Sequence, residues 1–299
     1  MKRTHLNLAL LVAVGGLGAA AYFGQKKEEP VVPLTALAAD ALTRIAVEHP
    51  GQPKLLLEKQ GGEWKLLEPV KADTDPFEVS ALTSLATLTA KRKLPLAEVK
   101  LPELGLQPPA YRITLNDVAL DFGGIEQIEA RRYILSGGAV ALVDDPPSAA
   151  LDADYSDLVA KALVPEKAEI AKIELPTGVS VVRGADGKSW VAAPLQADIS
   201  IDAAQKLANA WKDARAMWMA AEPLAGSQGQ AVKVTLQDGR VLRFVIAERD
   251  PQLVIANPEL KVRYTLSKVL DSELFELHKA ATAPPAGVPK LPRPSDLPS

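Results

Sequence analysis

The sequence predicts an α+β fold: two tandem repeats, each a mainly antiparallel β-sheet packed with one or two helices, after an N-terminal transmembrane helix. Three observations carry this reading. First, the stretch from Leu42 to about Asp144 is echoed by the stretch from Ile170 to about Asp271. Each has a short strand (from Arg44, from Lys172), a Gly-containing turn and a Trp-led strand (Trp64, Trp190). Pro and then Ala-Asp follow in the same order (Pro69, Ala72, Asp73; Pro194, Ala197, Asp198). Matched positions in a fixed order mark a duplication better than shared composition does. Second, strict alternation, as in Tyr111, Ile113 and Leu115 against Arg112, Thr114 and Asn116, predicts strands with one buried face. Third, residues 6–23 contain one polar side chain, Asn7, and no charge.

Eighteen helical residues rise about 27 Å, close to the thickness of a bilayer's hydrocarbon core. Lys2 and Arg3 are uncompensated, whereas Lys26 and Lys27 are followed at once by Glu28 and Glu29. The positive-inside bias then keeps the N-terminus cytoplasmic and places the bulk of the chain in the periplasm. Residues 1–24 therefore read as a single-pass signal-anchor in a bacterial inner membrane. A cleaved signal peptide is the competing reading, because Ala19, Ala20 and Ala21 provide a small-residue site. Residues 25–39, with Pro30 and Pro33, form an extended linker.

The first repeat occupies residues 40–147. Ile45 and Val47 mark one strand and Leu55 and Leu57 another, and Gln60-Gly61-Gly62-Glu63 turns the chain into the strand of Trp64, Leu66 and Glu68. Asp75-Pro76-Phe77-Glu78 has the composition of a capping box with Pro at the first helical position. Val79, Leu82, Leu85, Ala86 and Thr89 recur behind it at helical spacing. Strands near Val118, Arg131 and Ala139 complete the unit, and Gly137-Gly138 turns the last hairpin. Residues 148–167, carrying Leu151, Tyr155, Leu158, Val159 and Leu163, predict a connecting helix. The second repeat, residues 168–279, has Asp186-Gly187 and Asp238-Gly239 turns. Its helix, from about Asp202 to Met219, aligns Ala203, Leu207, Ala210, Trp211, Ala214 and Trp218. Residues 280–299 are Pro-rich and aperiodic and read as a disordered tail.

Composition narrows the function classes. With 47% hydrophobic and 24% charged residues the chain is of the folded kind. Net charge is −3, and no basic run exceeds Lys91-Arg92-Lys93, which argues against nucleic acid as a partner. Cysteine is absent, so disulfides, thiolate metal sites and a Cys nucleophile are excluded. His5, His49 and His278 are too scattered for a metal centre. The acidic series Asp144, Asp145, Asp152, Asp154 and Asp157 lacks the Gly and terminal Glu of a calcium loop. No metal and no cofactor is expected.

Neither G-x-S-x-G nor S-x-x-K occurs, and Ser80, Ser84 and Ser227 have no nearby base in sequence. Among Glu63, Glu68, Asp73 and Asp75, the last two are most economically turn and cap residues. No catalytic residue is assigned and the chain is not read as an enzyme. Trp64 and Trp190 read as core. Met217-Trp218-Met219 is the one candidate partner contact, because three consecutive bulky apolar residues on a helix cannot all face one sheet.

The Thr43 to Val47 strand, the Trp64 to Asp73 stretch (W-K-L-x-x-P-V-x-A-D) and Gly105 to Pro109 (G-L-x-P-P) resemble the bacterial family called domain of unknown function 4340. The likeness covers most of residues 1–150, and Ala225 to Gln230 replaces the G-L-x-P-P step in the second copy. The resemblance implies an N-terminal membrane segment and, through relatives beside ABC-type exporters of the gliding-motility sort, an accessory role. It supplies no catalytic residues. The expected function is a periplasmic, non-catalytic scaffold serving as accessory or assembly subunit of a membrane complex such as an ABC-type exporter. The alternative is a periplasmic binding module holding a glycan, peptide or lipid in a cleft between the repeats.

Overall fold

The computed structural model describes residues 32–146, 154–194, 199–200, 202–221 and 229–278, with Val14 and Gly16. The expected membrane helix apart from Val14 and Gly16, the start of the linker and the Pro-rich tail lie outside the described residues, as does most of the Ala225 to Gln230 stretch. Among the described residues no helix is long and apolar enough to cross a membrane.

In chain order the elements are β1 (Val32–Pro33), β2 (Arg44–Glu48), β3 (Leu55–Gln60), β4 (Glu63–Glu68), β5 (Ala72–Asp73) and helix α1 (Pro76–Ser84). Then come β6 (Thr89–Ala90), β7 (Arg92–Pro95), β8 (Tyr111–Leu115), β9 (Val118–Ile125), β10 (Arg131–Ser136) and β11 (Ala139–Asp144). They continue with α2 (Tyr155–Leu158), β12 (Ile170–Glu174), β13 (Ser180–Arg183), β14 (Trp190–Ala193), α3 (Ala203–Asp213) and β15 (Trp218–Ala221). The last are β16 (Gln230–Leu236), β17 (Val241–Glu248), β18 (Leu253–Asn257), β19 (Val262–Leu266) and α4 (Leu270–Phe275). Antiparallel sheet dominates and helices are few, so the class is α+β, rich in β. Two compact units divide the chain: residues 1–54 with 82–148, and residues 55–81 with 149–299.

In the first unit the strands run in the order β2-β8-β9-β10-β11-β7, and β1 pairs with β6 apart from them. Tyr111, Ile113 and Leu115 are buried while Arg112 between them is exposed, as the alternation in the sequence requires. Tyr111 stacks on Phe122 of β9 at 4.5 Å between ring centroids. On the opposite face Arg112 stands across from Asp121 and donates from Nη2 at 2.9 Å. Strand β7 pairs with β11 although its sequence, Arg-Lys-Leu-Pro, carries no alternation signal.

The turn between β8 and β9 is held by Asn116, which sits at φ 52. Its Oδ1 accepts from the Thr43 and Arg44 amides at 3.0 and 3.1 Å, and its Nδ2 donates to the Ala41 carbonyl at 3.1 Å. One side chain thus satisfies three backbone groups seventy residues away, in a left-handed conformation that Asn tolerates better than most residues. Replacing Asn116 by Ala is expected to cost about 1–3 kcal/mol, because those backbone groups lose their partner and the left-handed φ stays. Asn116→Gly, which relieves only the φ, is expected to recover part of it. Urea denaturation of both variants checks this, and equal midpoints for Ala and wild type would contradict the clamp.

In the second unit β3, β4 and β5 form an antiparallel meander, and an eight-stranded sheet runs β14-β13-β12-β16-β17-β18-β19-β15. The Asp238-Gly239 turn joins β16 to β17 as expected, with Gly239 at φ 87. Helix α3 buries Ala203, Ala204, Leu207, Ala208 and Trp211. Trp211 meets Phe244 at 5.5 Å and Phe275 at 6.0 Å, and Phe244 meets Tyr264 at 6.3 Å, so a run of aromatic rings fills this core. Trp64 and Trp190 are only half-buried, and the Arg183 guanidinium lies over the Trp190 ring at 5.2 Å. At the start of α1, Asp75 Oδ1 accepts from the Phe77 amide at 2.9 Å, the expected N-cap.

Two helical expectations fail for one reason. The helix expected over 148–167 is, in its described part, only the four residues of α2, and α3 stops at Asp213 instead of reaching Met219. Beyond α2 the chain runs extended and spends its backbone groups on distant partners. Asp75 N donates to Leu158 O at 2.9 Å, and Ala160 N donates to Asp73 O at 2.8 Å. Leu163 N donates to Ala214 O at 3.1 Å, and Ala216 N donates to Lys161 O at 2.8 Å. Groups claimed by these pairings cannot also close i to i−4 helical bonds. Apolar residues that look helical in a window are here the inner face of extended segments.

Candidate functional site

A cleft of about 510 Å³ opens in the second unit, a size in the range of small-molecule sites. One wall is the meander: Lys65, Leu66 and Leu67 of β4, then Lys71, Ala72 and Asp73 at β5. A second wall is the extended segment beyond α2, with Val159, Ala160, Ala162, Leu163 and Pro165. The third is made where β17 begins and β18 ends, by Arg240, Val241, Leu242, Asn257, Glu259 and Leu260, with Tyr264 of β19. Each wall follows from local sequence. The Asp238-Gly239 turn presents Arg240, and Asn257 Oδ1 accepts from the Glu259 and Leu260 amides at 3.0 and 3.1 Å, turning the chain at the end of β18.

Lys65 organises the charge on the meander wall. Its Nζ donates to Asp73 Oδ1 at 2.8 Å and to Glu63 Oε2 at 3.1 Å, across the register that sets Lys65 opposite Asp73. The bond to Asp73 holds the ammonium above its usual range. Hydrogen bonds from Lys167 and Lys65 hold Glu63 below the usual carboxylate range. Arg240 is occupied by Asp238, whose Oδ2 accepts from its Nε at 2.7 Å. Lys71 has no ion-pair partner among the described residues.

Two nearly buried polar side chains also line the cleft, Tyr264 at 2% and Asn257 at 5% exposure. The Tyr264 ring packs in the aromatic core, and its hydroxyl has no hydrogen-bond partner among the described residues. Burial, with the nearby Asp73 charge, pushes its ionisation well above the usual range, so the hydroxyl stays a donor through neutral pH. The amide nitrogen of Asn257 is likewise without a partner among the described residues. An acceptor that enters the cleft can bond to either donor.

Neither residue was singled out in the sequence, where each reads as one polar position in a strand. The motif from Trp64 to Asp73 is the available signal, since all six residues named on the meander wall lie within it. Of the carboxylates weighed there, Glu63 and Asp73 meet only through Lys65, and Asp75 caps α1. Among the described residues no three metal-binding side chains of the His, Cys, Asp and Glu set gather.

Near the start of α1 lies a small acidic group. Asp75 faces Lys161 at 3.6 Å, and burial raises the carboxyls of both Glu78 and Asp157 above their usual range. A raised carboxyl disfavours the folded state once it ionises. The unfolded form deprotonates first as pH rises, and the penalty is complete above the folded-state pKa. Asp157→Asn is therefore expected to melt higher than wild type at pH 7 and to lose that advantage below pH 3.8, the ordinary Asp value. Melting curves across pH check it, and a gain that persists undiminished in acid would contradict the assignment.

Met217, Trp218 and Met219 do not lie on a helix. Met217 precedes β15, and Trp218 and Met219 open it. On a strand adjacent side chains part to opposite faces, so Met219 is buried at 8% exposure while Trp218 is 50% exposed; Met217, before the strand begins, is 45% exposed. Strand β15 ends the eight-stranded sheet and, among the described residues, pairs along its length only with β19. A second hollow, in the first unit, is bordered by Arg92, Glu126, Glu129 and Arg131. Three of its charges are already met: Arg131 pairs with Glu129 at 2.8 Å, and Glu126 accepts from the Ile128 and Glu129 amides.

Neither a characterised relative nor a solved structure matches the chain. The family match begins at Trp64 and so leaves out the Thr43 to Val47 strand, yet it runs on through the second half, which the resemblance in the sequence had set apart. It takes in all three walls of the cleft and the edge strand β15. Residues 64–268, more than half of the chain, match the family described as domain of unknown function (DUF4340), and the chain belongs to that family.

Proposed function

We propose that this protein is a single-pass inner-membrane protein, anchored by residues 6–23 with its bulk in the periplasm. Its folded part is two copies of one α+β unit, used as a non-catalytic accessory or assembly subunit of a membrane complex such as an ABC-type exporter. The anchor reading is supported by the uncharged apolar run and the basic residues before it. The duplication is supported by the shared strand order, β2-β8-β9-β10-β11-β7 alongside β12-β16-β17-β18-β19-β15, in which each strand has its counterpart.

The observation that carries the accessory role is the edge of β15. Half-exposed Trp218 and Met217 stand at a strand whose outer side is unpaired among the described residues. Helix α2 packs against β15, and beside it the strand presents a half-exposed indole and thioether to solvent. Aromatic and Met side chains of this kind are enriched in protein interfaces. The test is affinity purification of the full-length, C-terminally tagged protein from mild-detergent membranes of its native host, with the N-terminus read in the same run. An envelope subunit is expected to co-purify with wild type, with Met1 retained, and to fall at least tenfold for the double variant Met217→Glu, Trp218→Glu at unchanged melting temperature. Undiminished capture by that variant would refute the β15 interface, and a processed N-terminus would refute the anchor.

A further inference from the structure

We infer that the cleft of the second unit is a binding site for a single-chain amphiphile, an apolar chain ending in an anionic acceptor group. Tyr264 and Asn257 are each more than nine-tenths buried, line the cleft, and keep a donor without an acceptor among the described residues. Both donors belong to residues that line the same cleft, where an acceptor group of a ligand can meet them. The raised ionisation of Tyr264 keeps its proton on the hydroxyl, so this donor is constant with pH in the neutral range.

Charge selects the sign of that acceptor. The cleft lining holds three cations, Lys65, Lys71 and Arg240, against two carboxylates, Asp73 and Glu259. Asp73 is neutralised by Lys65 at 2.8 Å, Arg240 by Asp238 at 2.7 Å, and Glu259 faces Arg243 at 3.9 Å, which leaves the Lys71 ammonium without an ion-pair partner among the described residues. An anion gains a charge-assisted contact there, and a cationic head would be repelled. Apart from Gln60 and Glu259, the remaining lining is mostly aliphatic, from Leu66 and Leu67 on one side through Val159 and Leu163 to Val241 and Leu242 on the other. Such aliphatic stretches suit a methylene chain. A carboxylate and a phosphate monoester share the required head-group chemistry.

The site is independent of the β15 edge, so its test differs from the capture experiment. The full-length chain, held in an amphipathic polymer in place of detergent, is labelled with a diazirine-bearing dodecanoate and the cross-linked peptides are mapped by mass spectrometry. Labelling is expected within residues 65–73, 159–165 and 240–260, reduced at least tenfold by excess dodecanoate or dodecyl phosphate and unaffected by dodecyltrimethylammonium. The stronger of the two anionic competitors identifies the head group. Tyr264→Phe and Lys71→Gln are each expected to lower the competitor's apparent affinity about fivefold to tenfold at unchanged melting temperature. Lys71 is exposed, so that variant answers the question even if the buried one unfolds. Equal competition by the alkylammonium, labelling outside those segments only, or full affinity in Lys71→Gln would each overturn the assignment.

Discussion

Trp211→Ala is expected to destabilise the protein by about 3–5 kcal/mol, the range for removing a buried aromatic ring from a core. Trp211 is fully buried on α3 and touches Phe244 and Phe275, whose rings would face an emptied space. Its indole also carries a polar duty. Nε1 donates to the Leu274 carbonyl at 2.9 Å, a buried bond that ties α3 to α4. Trp211→Phe separates the two contributions, since it keeps much of the ring packing and leaves the Leu274 oxygen unpartnered. That variant is expected to lose about 1–3 kcal/mol. Against a total stability of about 5–15 kcal/mol, the Ala variant is near the limit of folding at 37 °C. Urea denaturation of the full chain in mild detergent measures both. A midpoint unchanged by Trp211→Ala would mean that this aromatic cluster does not hold the second unit together.

The first unit has a comparable point of failure at Gly123 in β9. A Cβ there would lie 2.4 Å from the Leu104 carbonyl oxygen and 2.9 Å from Leu106 Cγ. The carbonyl belongs to the turn over Leu101–Leu104, which is fastened by Leu106 N donating to Leu101 O at 2.9 Å and Gly105 N to Pro102 O at 3.2 Å. It cannot retreat without opening that turn, so Gly123→Ala is expected to cost about 1–3 kcal/mol or more by overpacking. Neighbouring Gly124 is the internal control. Its Cβ would meet the same oxygen at 3.6 Å, ordinary contact, and Gly124→Ala is expected to be close to neutral. Equal losses at the two positions would show that backbone freedom, and not the approach of the Leu104 carbonyl, is what the glycines supply. This contact also gives the Gly105 to Pro109 motif a physical role: it brings the chain back against β9.

The strands were legible because their determinants are local. Tyr111, Ile113 and Leu115 announce a half-buried strand by alternation alone, and Asp238-Gly239 announces a hairpin by the φ that only such residues accept easily. Asp75 and Pro76 likewise mark the start of α1. Helix ends were not legible where a distant segment competes for the same backbone groups. The residues from Ala214 to Ala216 leave the helix to pair with those from Lys161 to Leu163, fifty positions earlier, and nothing within a helical window records that partner. Strand β7 is invisible for the converse reason, since its pairing with β11 makes it a strand in spite of its composition.

By itself, the sequence determined the α+β class, the order of most strands, the turns and the cap of α1, all products of neighbours in the chain. It also determined the family, through the Trp64 to Asp73 stretch that the wider match then extended to Lys268. Tertiary structure alone decided that Met217 and Trp218 stand at a sheet edge, and that Tyr264 and Asn257, whose donors have no partner among the described residues, line a cleft with Lys71. Whether a polar group finds a partner depends on which segments pack around it, and that is settled only when strands far apart in sequence are brought together.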